Sequence, residues 1–218
     1  MKTFVIGDIH GAYRALLQCL ELSKFDRQED RLICLGDVCD RGLQVRECID
    51  ELLAIPKCVY ILGNHDVWSL KWAVEGEVLE AWQGQGGAET MLSYKKNGMP
   101  KEHIRFLSEA FPYFIDKNRL FVHGGFEVGR PLQDTPKEIF FWDRTLIRKA
   151  QELHRSAPRH KFGNFDEIYI GHTPTRNFGT NEPLNFCNVW DLDTGAGWGA
   201  KLTIMDTDTK QFWQSDIV

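Results

Sequence analysis

Three short apolar runs near the start of the chain each stop at a glycine followed by aspartate or asparagine. The resulting stretches are Gly7-Asp8-Ile9-His10-Gly11, Gly36-Asp37-Val38-Cys39-Asp40-Arg41-Gly42 and Gly63-Asn64-His65-Asp66. The runs themselves, Thr3 to Gly7, Arg31 to Leu35 and Cys58 to Leu62, have the length and composition of buried strands. Between them, Ala12 to Ser23 and Val45 to Ile55 place apolar residues at near-helical spacing, and Pro56 closes the second. The alternation of strand and helix predicts a mainly parallel sheet flanked by helices. In such a sheet the carboxyl ends of successive strands share one edge, where ligands bind. Asp8, His10, Asp37, Asn64 and His65 are therefore expected to converge, although the first and last are far apart in sequence.

Two later runs also end in coordinating residues beside glycines. Phe121-Val122 leads into His123-Gly124-Gly125, and Tyr169-Ile170 into Gly171-His172-Thr173. A single Gly-Asp after a strand is usually a turn, and a lone histidine is usually structural. Five strand ends with coordinating residues in matching context are a different matter. The mixed nitrogen and oxygen donors suit manganese, iron, zinc or nickel better than magnesium or calcium. They are too many for one tetrahedral zinc. Two metals ~3.5–4 Å apart, bridged by a carboxylate, fit the number of donors better.

Charge and cysteine content narrow the setting. A formal net charge of −5, with no Lys/Arg run, argues against a nucleic-acid partner. A mildly acidic protein that handles anions must hold local positive charge, from arginines or from metal. Six cysteines without a CxxC pair read as buried thiols of a reducing compartment. No ~18-residue apolar stretch occurs, so no membrane is expected as a partner. We read a cytoplasmic protein whose residues 1–218 form one domain, long enough to bury a core without disulfides.

The rest of the chain is read more coarsely. Asp66 to Gly98 is expected to be helical, with a turn at Asn97-Gly98, and Lys101 to Ala110 forms another helix. Tyr113 to Asp116 and Arg119 to Val122 pair as strands, Pro136 to Leu153 is a helix, and Glu167 to Ile170 a strand. Val189 to Leu192, Lys201 to Asp206 and Phe212 to Gln214 form a closing antiparallel group. Gly195, Gly197 and Gly199 mark a tight active-site turn after Asp193. His103, His154 and His160 are expected on the surface. The seven tryptophans are mostly core, with Trp142 and Trp198 as pocket candidates.

In order, GDIHG, GDVCDRG, GNHD, HGG and GHT resemble the metal-binding motifs of the calcineurin-like metallophosphoesterases. The DRG brings the chain closest to the phosphoprotein phosphatase family, in particular its compact bacterial and phage members. The resemblance spans residue 7 to about residue 197. It implies an α/β fold of two mixed β-sheets sandwiched between helices. It also implies that Asp8, His10 and Asp37 hold one divalent metal. Asp37 would bridge to a second, held by Asn64, His123 and His172, with manganese the foremost choice for both.

By the same resemblance His65 is the proton donor to the leaving group, oriented by Asp40, and Arg41 grips the phosphoryl oxygens. Arg144, in Phe141-Trp142-Asp143-Arg144, is a looser match to a second phosphoryl arginine. If its segment is extended, His65 points away from the metals. Asp66 departs from the eukaryotic GNHE, a change expected to leave metal binding intact. The implied reaction is attack of metal-activated water on a phosphate monoester, with a phosphoprotein or a small phosphoester as substrate. The first choice is phosphoserine or phosphothreonine in proteins. The alternative is a symmetrical diadenosine tetraphosphatase, a related group that typically has a small residue in place of the DRG aspartate.

Overall fold

The computed structural model describes residues 1–218, the side chain of Lys96 excepted. Among the described residues ten strands form two five-stranded sheets. The first has the order β10-β9-β1-β2-β3, built from β1 (Thr3–Ile6), β2 (Arg31–Cys34), β3 (Cys58–Tyr60), β9 (Thr203–Asp206) and β10 (Phe212–Gln214). Its β1, β2 and β3 run parallel, and β9 and β10 extend it antiparallel. The second has the order β4-β5-β6-β8-β7, from β4 (Tyr113–Asp116), β5 (Arg119–Val122), β6 (Glu167–Ile170), β7 (Leu184–Phe186) and β8 (Val189–Asp191). There β5, β6 and β8 are parallel, with β4 and β7 antiparallel at the edges.

The strands alternate side chains between two faces, and both faces are apolar because each is covered. Val5, Ile33, Leu35 and Met205 from one sheet meet Phe121, Tyr169 and Leu192 from the other in a shared inner layer. Phe121 and Tyr169 stack there with ring centroids 4.9 Å apart. The intervening residues face outward. Phe4, Ile6, Leu32 and Cys34 pack under helices α1 (Tyr13–Leu22) and α2 (Val45–Leu53). Leu120, Val122, Ile168 and Ile170 pack under α7 (Lys137–Trp142) and α8 (Thr145–His154). The result is the expected α/β arrangement of two mixed sheets between helices. Between β3 and β4 run α3 (Asn64–Glu75), the short α4 (Glu80–Trp82), an irregular turn at Gln83–Gly87, α5 (Ala88–Tyr94) and α6 (Lys101–Ser108). Among the described residues no helix is long and apolar enough to cross a membrane.

Four expectations need correction. Val189 to Leu192 does not join the closing antiparallel group: β8 lies parallel to β6 in the second sheet, and the unforeseen β7 pairs with its other side. Pro136 to Leu153 is not one helix. It breaks at Asp143, whose carboxylate accepts the Leu146 amide at 2.9 Å and the Thr145 hydroxyl at 2.6 Å, a local bond that competes with helix continuation. His103 is buried, not on the surface: its Nε2 donates to Asp50 Oδ1 at 2.9 Å and its Nδ1 accepts from the Tyr94 hydroxyl at 2.9 Å. Of the tryptophans only Trp82 is fully buried.

Candidate metal centre

The ends of β1, β2, β3, β5 and β6 come together, and their backbone is bent to make them do so. His10, Asp37, Asp40, Arg41 and His172 all have positive φ, between 48° and 72°, a region that L-residues enter at a cost. Surrounding hydrogen bonds enforce it. The amides of Ile9 and His10 both donate to the Asp37 carbonyl, at 3.1 and 2.9 Å, tying the first loop to the second. The Asp66 carboxylate accepts the amides of Asp37 (2.9 Å), Val38 (3.1 Å), Cys39 (3.2 Å) and Gly63 (3.0 Å), and the Tyr60 hydroxyl at 2.8 Å. A side chain at residue 63 is excluded, since a Cβ there would stand 2.0 Å from Asp37 Oδ1.

Asp37 occupies the middle of the array. Its Oδ2 is 3.3 Å from His123 Nε2 and 3.9 Å from His10 Nε2, while Oδ1 accepts the His65 amide at 2.9 Å. Two three-residue groups able to hold an ion share it: His10, Asp37 and His65, and Asp37, His123 and His172. His10 and His123 each donate Nδ1–H to a backbone carbonyl, of Cys39 and Leu35, both at 2.7 Å. That fixes the ring orientation and turns Nε2 of each toward Asp37. Asn64 Oδ1 is 3.1 Å from His123 Nε2. Asp8 falls in neither group. Its carboxylate accepts the His172 amide at 3.1 Å.

The charge balance is that of a cation site. Burial, then the neighbouring His65, depresses His10 to about 3, and burial, then His123, depresses His172 to about 2, so both rings are neutral lone-pair donors at neutral pH. Burial would raise Asp37, but His123, His65 and His10 hold it well below the usual carboxylate range. Burial likewise opposes protonation of His123, but Asp37 overrides it and lifts the ring to about 10. Asp8 is pushed up by burial and by Asp193, and Asp193 is raised by burial to about 6. Among the described residues His172 Nε2 and Asp191 Oδ2 are buried without a hydrogen-bond partner. Converging carboxylates, neutral imidazoles and orphaned buried donor atoms fit divalent metal.

Beside this array His65 Nδ1 lies 2.6 Å from Asp40 Oδ2. His65 occupies the first turn of α3, so its segment is helical and not extended, and the consecutive side chains of Asn64 and His65 diverge around the helix instead. Asp40 also accepts from Trp82 Nε1 at 2.8 Å, Thr90 Oγ1 at 2.7 Å and Ser69 Oγ at 3.2 Å. At the mouth, the Arg41 guanidinium lies over the Trp198 ring, 3.7 Å from its centroid. Trp68 contacts both His65 and Trp142, and Trp142 in turn has an edge contact with His172. Arg144 is exposed at the start of α8, and its charge bears on His172. All ten residues singled out in the sequence are thus near one another. Asp191, Trp82, Thr90 and Arg176 were missed, and Asp66 and Asp193 were noted only as a motif position and as the start of an active-site turn. Of the four missed, Arg176 alone had a signal, in following the GHT motif by three residues.

The sequence profile of the calcineurin-like phosphoesterases matches residues 1–194, nearly the whole array included. The chain belongs to this family. It is a metallophosphoesterase, a hydrolase of phosphoesters. It is 26% identical over 209 residues to serine/threonine-protein phosphatase 1 of Salmonella typhimurium, covering 92% of this chain and 89% of that one. A shorter match, 41% identical over 69 residues, joins it to a symmetrical bis(5'-nucleosyl)-tetraphosphatase of Coxiella burnetii and covers 32% of this chain and 24% of that one. The fold is shared with a crystal structure of a candidate diadenosine tetraphosphatase, at a TM-score of 0.76 and 17% identity, covering 98% of this phosphoesterase and 92% of that chain.

Proposed function

We propose that this phosphoesterase hydrolyses phosphate monoesters of serine and threonine in proteins. Asp8, His10 and Asp37 hold one divalent metal, and Asp37, Asn64, His123 and His172 a second. Manganese is our first assignment, with iron, zinc and nickel as alternatives. When bound, the pair supplies positive charge against the phosphoryl dianion and lowers the pKa of coordinated water. Arg41 and Arg144 offer their planar guanidinium groups to the phosphoryl oxygens, a bidentate contact that lysine reproduces poorly.

His65 carries the proton. With Nδ1–H donated to Asp40, the nitrogen left to deliver a proton to the leaving oxygen is Nε2. Asp40 is fully buried and held by several donors, so it stays an acceptor and orients the ring. This pair is the observation that carries the reading. The alkoxide of serine or threonine leaves poorly without a proton, and general acid catalysis is worth ~10²–10⁴-fold. A nucleotide departing from a polyphosphate is already a good leaving group and has less need of such an acid.

The match to the tetraphosphatase of Coxiella burnetii supports a second reading, cleavage of diadenosine tetraphosphate. Parallel turnover of a phosphoserine peptide and of diadenosine tetraphosphate, with manganese added, separates the two. Higher kcat/KM on the peptide is expected, and turnover of the dinucleotide alone overturns the phosphoprotein reading.

A further inference from the structure

A cationic contact beside the metal centre is left unused by these roles. The turn after Asp193 packs its backbone against the array: a Cβ at Gly197 would stand 2.3 Å from His10 Cδ2 and 2.6 Å from Arg41 Cδ. The next residue, Trp198, is 44% exposed. Over its ring lies not only Arg41 but also the Arg176 guanidinium, 4.4 Å from the centroid. Arg176 is exposed on the short turn Thr175–Phe178, four residues past His172. The Thr175 amide donates to the Asp193 carbonyl at 2.8 Å, so this turn is registered to the centre.

Two guanidinium groups sharing one indole repel each other, and the ring face offsets only part of that. Among the described residues neither has a carboxylate in salt-bridge range, a state shared with other arginines of the chain but found here for two that meet on one ring. Among the described residues Arg41 Nε, which is buried, has no hydrogen-bond partner. Arg41 and Arg144 are committed to the phosphoryl group, which leaves Arg176 with the chemistry for a different anion. Its planar fork matches a carboxylate, and the exposed indole offers an apolar flank for the methylenes that carry one.

We propose that Arg176 and Trp198 form an oxyanion subsite beside the phosphoryl position, which takes the carboxylate of an acidic residue flanking the phosphorylated residue of a protein substrate. The inference rests on the phosphoprotein reading and adds a substrate preference to it. An open rim position suits a chain lying across the mouth.

The test uses the metal-loaded enzyme and phosphoserine peptides with Glu, Ala or Lys at each flanking position. Each kcat/KM is divided by the same protein's turnover of an aryl phosphate, which corrects for folding and metal content. The wild type is expected to favour a Glu peptide over its Ala counterpart by about two- to fivefold, the upper range of an exposed charge-assisted pair. Arg176→Gln should bring that ratio close to one, and Arg176→Glu should turn the preference toward the Lys peptide. Equal wild-type values for Glu and Ala peptides at every position, or a preference that survives Arg176→Gln, overturn the subsite.

If no phosphopeptide is turned over while the aryl phosphate is, the phosphoprotein reading fails on its own. Inhibition of aryl phosphate turnover by the same peptides then reads the subsite directly. Stronger inhibition by the Glu peptide supports it, and equal inhibition by Glu and Ala peptides overturns it. Diadenosine tetraphosphate turnover that falls in Arg176→Gln, with the peptide ratio unchanged, would assign the contact to a second phosphate and overturn the carboxylate.

Discussion

His65 Nδ1 and Asp40 Oδ2 approach to 2.6 Å with both residues buried, which makes them a single unit. The geometry alone also lets His65 serve as a metal ligand, since its ring lies with His10 and Asp37. The two roles respond differently to the leaving group. As an acid, His65→Asn should lower kcat on a phosphoserine peptide by about two to four decades and on a nitrophenyl phosphate much less. As a ligand, it should lower both alike and reduce bound metal. Steady-state kinetics on the two substrates, with metal analysis of the variant, decides between them.

Asp40 owes its position to residues far along the chain. Trp82 and Thr90 donate to its two carboxylate oxygens, and the Asp40 amide donates back to Thr90 Oγ1 at 2.8 Å. Thr90→Val keeps the volume but leaves a buried carboxylate short of a donor. We expect a loss of about 1–3 kcal/mol in unfolding free energy. We also expect a larger drop in kcat on the peptide than on the aryl phosphate, with Thr90→Ser restoring both. Denaturant unfolding and the substrate pair measure this, and an equal drop on both substrates would show a structural role only.

Most of the array was legible in sequence because the information is local: each candidate ligand closes a short apolar run beside a glycine, and parallel strands place such ends on one edge. The supports were not legible. Trp82 and Thr90 reach Asp40 across 42 and 50 residues, from a stretch whose composition says only that it is helical. Asp191 and Asp193 looked like the end of one more strand because Val189 to Leu192 was placed in the wrong sheet. Its partner β7 is three residues long and carries too little pattern to announce itself. His103 was misplaced because a polar helical stretch hides a histidine whose partners, Tyr94 and Asp50, lie on other helices.

Asp66 illustrates how a motif position can have a structural cause. It is fully buried and accepts the amides that shape the turn carrying Asp37, so its charge is spent on the backbone. Asp66→Ala should expose those buried amides to no partner and cost about 3 kcal/mol or more. Loss of bound metal should accompany it, because the Asp37 backbone is held at a φ of 51° by those bonds. Asp66→Asn, which retains an acceptor, should lose less. Thermal unfolding and metal content of the two variants give the order, and equal effects would remove the role assigned to the amide contacts.

Metal uptake should release protons, and the direction follows from the charges in the array. In the metal-free protein His123 stays protonated up to about pH 10, held there by Asp37. His10 and His172, depressed to about 3 and 2, have no proton to lose at neutral pH. A metal that takes the His123 lone pair must displace its proton, so affinity should rise with pH, up to about tenfold per unit for each proton released. Without metal, the raised His123 contributes stability that is complete below its unfolded pKa of about 6.5 and is lost as pH rises toward 10. Asp37 has the opposite sign: its contribution is present above the ordinary carboxylate range and fades in acid. Calorimetric titration of the chelated protein with manganese, in buffers of different ionisation enthalpy at pH 7, should report at least one proton released per protein. No release would show that His123 is already neutral and that the Asp37 contact does not govern it.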